Sequence, residues 1–305
     1  MTKPGPARSV PPGRPRPARR TTPSPEDHMP ELPEIEILRR DLDREVSGRK
    51  VKAVDVPGAG LVKHPTKKAF ATALIGTKFT GARRRGTTLC IGVDGSHEVL
   101  VDLGPNTRLR RQATKEPTIK GTALVVSFTQ GPQLRLIDPK REGAVELLAS
   151  EEIPERRPEF ASLGLDPADE PISWTTFGER LLRREDRLKT VLTDSSFLVG
   201  IGPIYSDEIL FHAGLRYDRI ASGLNTQEIR RLYRAVVETV HDAVKYGGTS
   251  VPPDGWVGLD GSTGSFSEHL AVYKRDGQMS PRARGPIVKV RYGSGYTYYC
   301  EQTQV

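Results

Sequence analysis

The sequence is poor in the residues on which several protein classes depend. Its 305 residues include only two cysteines, Cys90 and Cys300, which are far apart and too few for a disulfide framework or a complete structural zinc site. No apolar run approaches the roughly 20 residues that a membrane helix needs, and no secretory signal is visible. The chain also lacks a nucleotide-binding glycine loop, a His-Glu-x-x-His helix and a convincing Ser/His/Asp set. A cytoplasmic protein without a membrane partner is therefore expected. The enzyme classes that these three motifs mark gain no support.

The charge of the chain is positive and unevenly distributed. The formal net charge is +8 and the isoelectric point is about 9.5, which favours a polyanionic partner, although many basic proteins bind no nucleic acid. Residues 1–28 hold eight prolines, six Lys or Arg and two acidic residues, so they carry half of the net charge and almost nothing apolar. We predict that this segment is disordered. It is either an arm that tethers DNA or an upstream extension of a chain whose translation starts at Met29.

The region 29–150 predicts a helix followed by β-structure. Pro33 suits a first helical turn, and apolar residues then recur at helical spacing as far as Ser47-Gly48, namely Ile35, Leu38, Leu42 and Val46. Between residues 51 and 148, short runs of alternating or continuous apolar residues are separated by turn signals such as Asp94-Gly95. The predicted fold class is α+β, with an N-terminal helix packed against an antiparallel two-sheet β-sandwich.

The remainder of the chain divides into three further segments. Residues 151–176 contain four prolines and are predicted to be a linker. Residues 177–250 are predicted to be helical, and the clearest helix begins with a capping box formed by Asn225 and Glu228. Residues 251–305 form the last segment, in which strand-like runs flank a Gly-Ser-Gly turn, as in a β-hairpin.

Three parts of the chain resemble one enzyme family. The string Met-Pro-Glu-Leu-Pro-Glu-Ile-Glu at residues 29–36 is similar to the mature start of the formamidopyrimidine-DNA glycosylase and endonuclease VIII family, whose members are base-excision repair enzymes. Residues 197–208, in which a Gly-Ile-Gly turn precedes a helix, resemble that family's helix-two-turn-helix DNA-binding element. Residues 266–305 resemble its C-terminal zinc finger in all but the metal ligands. The resemblance thus extends from residue 29 to the C-terminus.

The resemblance implies a DNA glycosylase with AP lyase activity. The amine of Pro30 would attack C1′ of a damaged nucleotide flipped out of the duplex, release the base and form an iminium, after which β,δ-elimination cuts the strand. By position, Glu31 is the proton donor at the sugar and Glu34 supports the site. The implied partner is double-stranded DNA with a damaged base or an abasic site, bound by a monomer at the nucleoid. Inside a chain the Pro30 nitrogen is a non-nucleophilic amide, so this mechanism requires Pro30 to be the terminus.

Eight further residues are expected to bind DNA. Two arginine clusters, one before and one after the strand around Leu89, are candidate phosphate contacts, although solvated surface charge explains either cluster alone equally well. Two residues lie in the segment that is similar to the family's wedge loop, at 138–143. The glycines before the second helix of the helical segment leave N–H groups open at its positive end, which suits a phosphate. The full set is Arg84, Arg85, Arg108, Lys140, Arg141, Gly200, Gly202 and Tyr205.

Several positions depart from the family pattern. Thr87 stands where the family has a phosphate-gripping Lys, Glu142 where it has an intercalating Phe, and Gly295 where a finger Arg holds phosphate. The loop that normally carries a gap-filling Met, at residues 102–107, has none, and Pro203 replaces the usual Asn. An anion at position 142 loses stacking and repels phosphate. The alternative function is therefore a catalytically impaired relative that binds damaged or structured DNA without cutting it.

The finger segment lacks the family's metal ligands. The four zinc positions fall on Ser280, Ala283, Cys300 and Thr303, and a single thiolate cannot hold a structural zinc. A zincless finger, in which a β-hairpin keeps the shape without metal, is therefore expected, and no cofactor is predicted.

Overall fold

The structure is a computed structural model that describes residues 29–169, 171–251 and 255–305. The extension predicted for residues 1–28 lies outside the described residues. An N-terminal helix and two β-sheets precede a helical half that ends in a β-hairpin, which confirms the predicted fold class. Within the described ranges, no helix is both long and apolar enough to cross a membrane.

The first helix, α1, spans Leu32–Val46. Pro33 lies in its first turn, where a missing N–H removes no helical hydrogen bond. The Glu34 carboxylate accepts the backbone N–H of Glu31 at 3.1 Å and so closes the start of the helix. The predicted apolar positions are almost fully buried, and the helix ends before Gly48, whose φ of +74° favours glycine.

The β-sandwich contains the next strands and a second helix. These elements are β1 (Val51–Asp55), β2 (Val62–His64), α2 (Lys67–Leu74), β3 (Phe79–Arg85), β4 (Thr88–Val93), β5 (His97–Asp102), β6 (Arg108–Gln112), β7 (Thr122–Phe128), β8 (Gln133–Ile137) and β9 (Ala144–Ala149). One sheet has the strand order β1-β7-β8-β6 and the other β2-β9-β5-β4-β3. Pairing is antiparallel throughout these sheets except between β2 and β9, which are parallel. Helix α2 was not predicted from the sequence, because only Phe70 and Leu74 of this short helix are buried and mark a helical period.

The helical half begins inside the predicted linker. Its elements are α3 (Ile153–Arg156), a 3₁₀ turn (Pro158–Ser162), α4 (Trp174–Leu182), α5 (Leu188–Leu192), α6 (Pro203–Ala213) and α7 (Thr226–Lys245). Residues 177–194, within the segment that is predicted to be helical, therefore belong to two helices, α4 and α5. The chain leaves the helix between them because the carbonyls of Arg184 and Asp186 accept the N–H groups of Ser222 and Ala221, at 2.9 and 3.0 Å.

Two apolar cores meet at α1. Leu32 belongs to the core of the helical half, together with Val199 and Tyr205, and is completely buried. Ile35 and Leu38, one turn further on, belong to the core of the sandwich. The N-terminal motif therefore lies at the junction of the two halves, and both halves determine its position.

The C-terminal hairpin consists of β10 (Val288–Tyr292) and β11 (Gly295–Tyr299). Two buried carboxylates of α6 hold this end of the chain. Asp207 accepts the backbone N–H of Tyr298 at 3.0 Å. Glu208 accepts three backbone N–H groups at 2.7 to 2.9 Å, those of Ala271, Val272 and Tyr273. Asp207 thus fixes the hairpin, and Glu208 the segment before it, against the same helix whose N-terminus faces α1.

Candidate active site

A cleft of about 400 Å³ opens where the two halves and the C-terminal hairpin meet. Pro30 is buried in its wall, beside the half-exposed side chain of Met29. Glu31 and Thr87 line it from the β-sandwich half. The loop between α5 and α6 and the turn between β10 and β11 complete the wall. The structure thus brings two of the predicted catalytic residues into one cavity.

The Glu31 carboxylate caps α6 across the junction. Oε2 accepts the N–H groups of Gly202 and Tyr205, at 2.6 and 3.3 Å, and Oε1 accepts that of Ile204 at 2.8 Å. Pro203 interrupts this series without cost, because it occupies the first helical turn. The N–H groups that we expected to be open for a phosphate are therefore occupied by a carboxylate of the chain itself, and that expectation is wrong for these donors.

The two glycines before α6 allow this close approach. A Cβ added at Gly202 would lie 2.7 Å from Cδ of Glu31, although the backbone φ of −112° is open to any residue. Gly200 has a φ of +62°, and its added Cβ would lie 2.8 Å from Cγ2 of Thr87. Its carbonyl accepts the N–H of Leu32 at 2.7 Å. The predicted glycines therefore serve to fit the loop against the N-terminal motif.

Glu34 lies deeper, in a hydrogen-bond network of neutral groups. Its Oε1 accepts the Tyr205 hydroxyl at 2.5 Å and the backbone N–H of Thr249 at 2.8 Å. The hydroxyls of Tyr205 and Thr249 lie 2.7 Å apart. Tyr205 is completely buried, so it cannot contact DNA as predicted; its ring and hydroxyl instead fix a catalytic candidate.

Burial raises the pKa of both carboxyl groups. Desolvation, followed by the nearby charge of Glu34, raises the pKa of Glu31 from 4.5 to about 8, against the three backbone N–H donors that lower it. Desolvation also raises the pKa of Glu34, against the hydroxyl and N–H groups that it accepts. The raised pKa favours the acid form of Glu31 at a higher pH than for an exposed carboxyl group, as a proton donor beside Pro30 requires.

Arg84 is a structural residue, which contradicts its predicted contact with phosphate. Its side chain is only 2% exposed. Nε donates to Glu36 at 2.8 Å, and Nη2 donates to Asp166 at 2.9 Å. The guanidinium thereby ties α1 and β3 to the segment before α4. Its neighbour Arg85 is one-third exposed and remains a candidate for phosphate.

The remaining predicted DNA contacts lie outside the lining of the cleft. Arg108 donates to the carbonyls of Pro105 and Thr107, at 2.8 and 3.0 Å, and so braces its own loop. Lys140 and Arg141 are exposed at the tip between β8 and β9. These three residues are not brought together with Pro30, and their DNA contacts stay predictions.

The loop with Glu142 is locked to the loop before β6. Asn106 donates its backbone N–H and its side-chain amide to one oxygen of Glu142, at 2.9 and 2.8 Å. Asp138 accepts the N–H groups of Glu142 and Gly143, at 2.9 and 3.1 Å. The wedge position is therefore a polar tip that is held by hydrogen bonds.

The family's zinc positions do not fit a zinc ion. Ser280 and Cys300 are buried and Ala283 packs against the helical core, so one sulfur is offered. Among the described residues, no group of three or more His, Cys, Asp or Glu could hold a metal ion. The Cys300 N–H instead donates to the side chain of Gln304 at 2.8 Å.

Two features of the cleft, a buried lysine and a pair of tyrosines, were not predicted from the sequence. Lys189 lines it, and its Nζ lies 2.5 Å from Oδ1 of the buried Asp207. A lysine inside the short apolar helix α5 was the available signal. Tyr292 and Tyr296 also reach the cleft, from either side of the Gly-Ser-Gly turn.

Comparisons with known proteins agree on one family. The model of the formamidopyrimidine-DNA glycosylase N-terminal domain matches residues 29–145, and that of the family's H2TH domain matches residues 163–253. The formamidopyrimidine-DNA glycosylase of Geobacillus kaustophilus is 34% identical over 277 residues, which cover 90% of this chain and 100% of the relative. That of Moorella thermoacetica is 35% identical over 263 residues, which cover 86% and 95%.

Solved structures give the same result. The Lactococcus lactis Fpg protein in complex with DNA that contains an abasic site superposes with a TM-score of 0.81 at 25% identity, over 90% of this chain and 100% of that one. Its complex with DNA that contains N7-benzyl-Fapy-dG also gives a TM-score of 0.81, at 26% identity, over 90% and 99%. The chain belongs to the formamidopyrimidine-DNA glycosylase family.

Proposed function

We propose that this protein is a DNA glycosylase of base excision repair that also acts as an AP lyase through the amine of Pro30. The observation that carries the proposal is that Pro30 and the buried carboxyl group of Glu31 line the same cleft. Burial raises the pKa of that carboxyl group, which favours its acid form. Such a pair supplies a nucleophile and a general acid at the same point.

The reaction follows from this pair. The Pro30 nitrogen forms a bond to C1′ as the bond from C1′ to the base breaks, and the base leaves with the proton that the amine gives up. Glu31 then protonates the ring oxygen, so the sugar opens and a cationic iminium remains on Pro30. Loss of a proton from C2′ breaks the bond to the 3′ phosphate. Because an acylated nitrogen cannot form the iminium, the active chain begins at Pro30.

The proposed substrate is double-stranded DNA with a damaged base or an abasic site, which are the kinds of DNA bound in the Lactococcus lactis complexes. Lys140 and Arg141, which are exposed, and Arg85, which is one-third exposed and lies 3.5 Å from Glu98, are the cations that we assign to phosphates. Phosphate contacts position the duplex without reading its sequence. We also propose that the enzyme works without zinc, since the four finger positions offer one sulfur.

The second candidate is a protein that binds such DNA without cutting it. One observation favours it: the tip at Glu142 is anionic and tied to Asn106, so it cannot wedge an apolar group between bases. Thr87 also lines the cleft and carries no positive charge that could pair with a phosphate.

Borohydride trapping separates the two candidates. Protein that begins at Pro30 is incubated with abasic-site DNA and reductant, and a covalent complex is expected whose modified peptide contains Pro30. The matched control is the same chain begun at Met1, in which that nitrogen is an amide. Modification of Lys189, the other amine in the cleft, or no complex at all from the Pro30-start protein, would overturn the proposed chemistry.

A further inference from the structure

One face of the C-terminal hairpin combines two exposed cations with an exposed aromatic ring, while the other tyrosine of that face, Tyr298, is buried. Lys289 and Arg291 of β10 pair in register with Tyr298 and Tyr296 of β11, so all four side chains share one face of the hairpin. Lys289, Arg291 and Tyr296 are exposed, and the Tyr296 ring is 42% exposed. Within the described residues, neither cation forms an ion pair with a carboxylate.

The exposed ring also reaches the cleft. Tyr296 and the turn before it line the same cleft as Pro30. The other tyrosine of the turn is an anchor: the Tyr292 hydroxyl lies 2.5 Å from that of Thr190 on α5, and its ring contacts Tyr217 edge-on at 5.6 Å. The turn is therefore held in place while Tyr296 faces the opening.

The chemistry of this face matches an unpaired nucleotide. Aromatic rings beside cations bind single-stranded nucleic acid, because every base has a π-face that stacks and every nucleotide has a phosphate that pairs with the cations. The Lys289 Nζ lies over the Tyr296 ring, 4.2 Å from its centre, so this cation covers one face of the ring and a base would stack on the other. An acidic peptide would use the cations but gain nothing specific from the ring.

We propose that Tyr296 stacks an unpaired nucleobase at the mouth of the cleft, with Lys289 and Arg291 contacting the phosphates beside it. The favoured substrate class is then DNA in which a nucleotide already lacks a pairing partner. This inference rests on the proposed DNA function and adds a residue that selects among DNA substrates.

The test compares two DNA probes that differ only in one base. Both are duplexes with a single-nucleotide bulge; one carries 2-aminopurine in the bulge and the other an abasic tetrahydrofuran. Tyr296→Ala should weaken binding of the 2-aminopurine probe by about 5-fold to 100-fold and leave the tetrahydrofuran probe within about 2-fold. Tyr296→Phe keeps the ring and should bind both probes as the unsubstituted protein does.

Met279→Ala is the matched control, because Met279 is an exposed side chain of the same finger that does not line the cleft. Fluorescence of 2-aminopurine should be quenched on binding to the unsubstituted protein and to Tyr296→Phe, and remain bright with Tyr296→Ala. Equal losses for both probes, or no loss for either, would overturn the stacking inference while leaving the DNA function intact. Failure of the unsubstituted protein to bind either probe would overturn both.

Discussion

Substituting Gly202 by alanine tests whether the cap that Glu31 forms on α6 requires glycine at this position. The new Cβ would lie 2.7 Å from Cδ, 2.8 Å from Oε1 and 3.0 Å from Cγ of Glu31. No backbone strain is added, because the φ of −112° suits alanine. The cost is therefore overpacking against a buried carboxyl group, about 1–3 kcal/mol in unfolding free energy.

A double-mutant cycle isolates that contact. Glu31→Ala removes Cγ, Cδ and both oxygens, so Gly202→Ala in this background should cost less than about 0.5 kcal/mol, and the coupling energy should account for most of the single-mutant loss. Urea unfolding of the four proteins measures it. Gly223→Ala is the matched control, since nothing lies within 4 Å of a Cβ added there. An equal loss in both backgrounds would refute the idea that Glu31 is what requires glycine at this position.

Three further outcomes are expected. The pKa of Glu31 is about 8 in the folded protein and 4.5 as its ordinary value, so its contribution to stability is fully present below pH 4.5 and is lost as the pH rises through 8. The unfolding free energy should therefore fall between about pH 5 and pH 9, and Glu31→Gln should make this fall smaller by up to about 5 kcal/mol. Urea titrations at a series of pH values measure the difference. Arg84→Met should cost about 3 kcal/mol in unfolding free energy, since it removes the buried guanidinium that pairs with both Glu36 and Asp166. Arg85→Ala should change stability little, because Arg83 still pairs with its partner Glu98, and should reduce the salt slope of DNA binding by about one; the reverse ranking would contradict the burial of Arg84. The unsubstituted chain should carry no stoichiometric zinc by elemental analysis. A variant in which cysteine replaces Ser280, Ala283 and Thr303 should, together with Cys300, retain one zinc ion. Zinc in the unsubstituted chain would show that other ligands exist.

Local features of the fold could be predicted from the sequence. The capping box of α7 is present: the Asn225 side chain accepts the N–H groups of Gln227 and Glu228, both at 3.0 Å. Its members lie within three residues of each other, so a single sequence contains all the information. The start of α1 was predictable for the same reason, because Pro33 and Glu34 act within one turn.

Contacts between distant segments could not be predicted. Glu31 meets Gly202 across 171 positions, and Arg84 meets Asp166 across 82. An isolated carboxylate or arginine in a sequence gives no sign of whether its partner is a phosphate, another side chain or a helix end. The arginine run therefore suggested DNA contacts at Arg84, and the glycine turn suggested a phosphate site, although the chain itself satisfies both groups.

Because Glu31 caps α6 across the junction, the two halves of the protein have to be exchanged together, in recombination as in design. Pro30, the proposed nucleophile, lies near the start of the sequence, whereas Gly202, which admits the neighbouring Glu31, lies about two-thirds of the way along it. A chimera that imports residues 29–150 into another scaffold would carry Pro30 and yet leave its acid uncapped, unless the recipient supplies a helix N-terminus with glycine at the same point. Recombination within this family should therefore preserve activity only when both segments come from one parent or match at this contact.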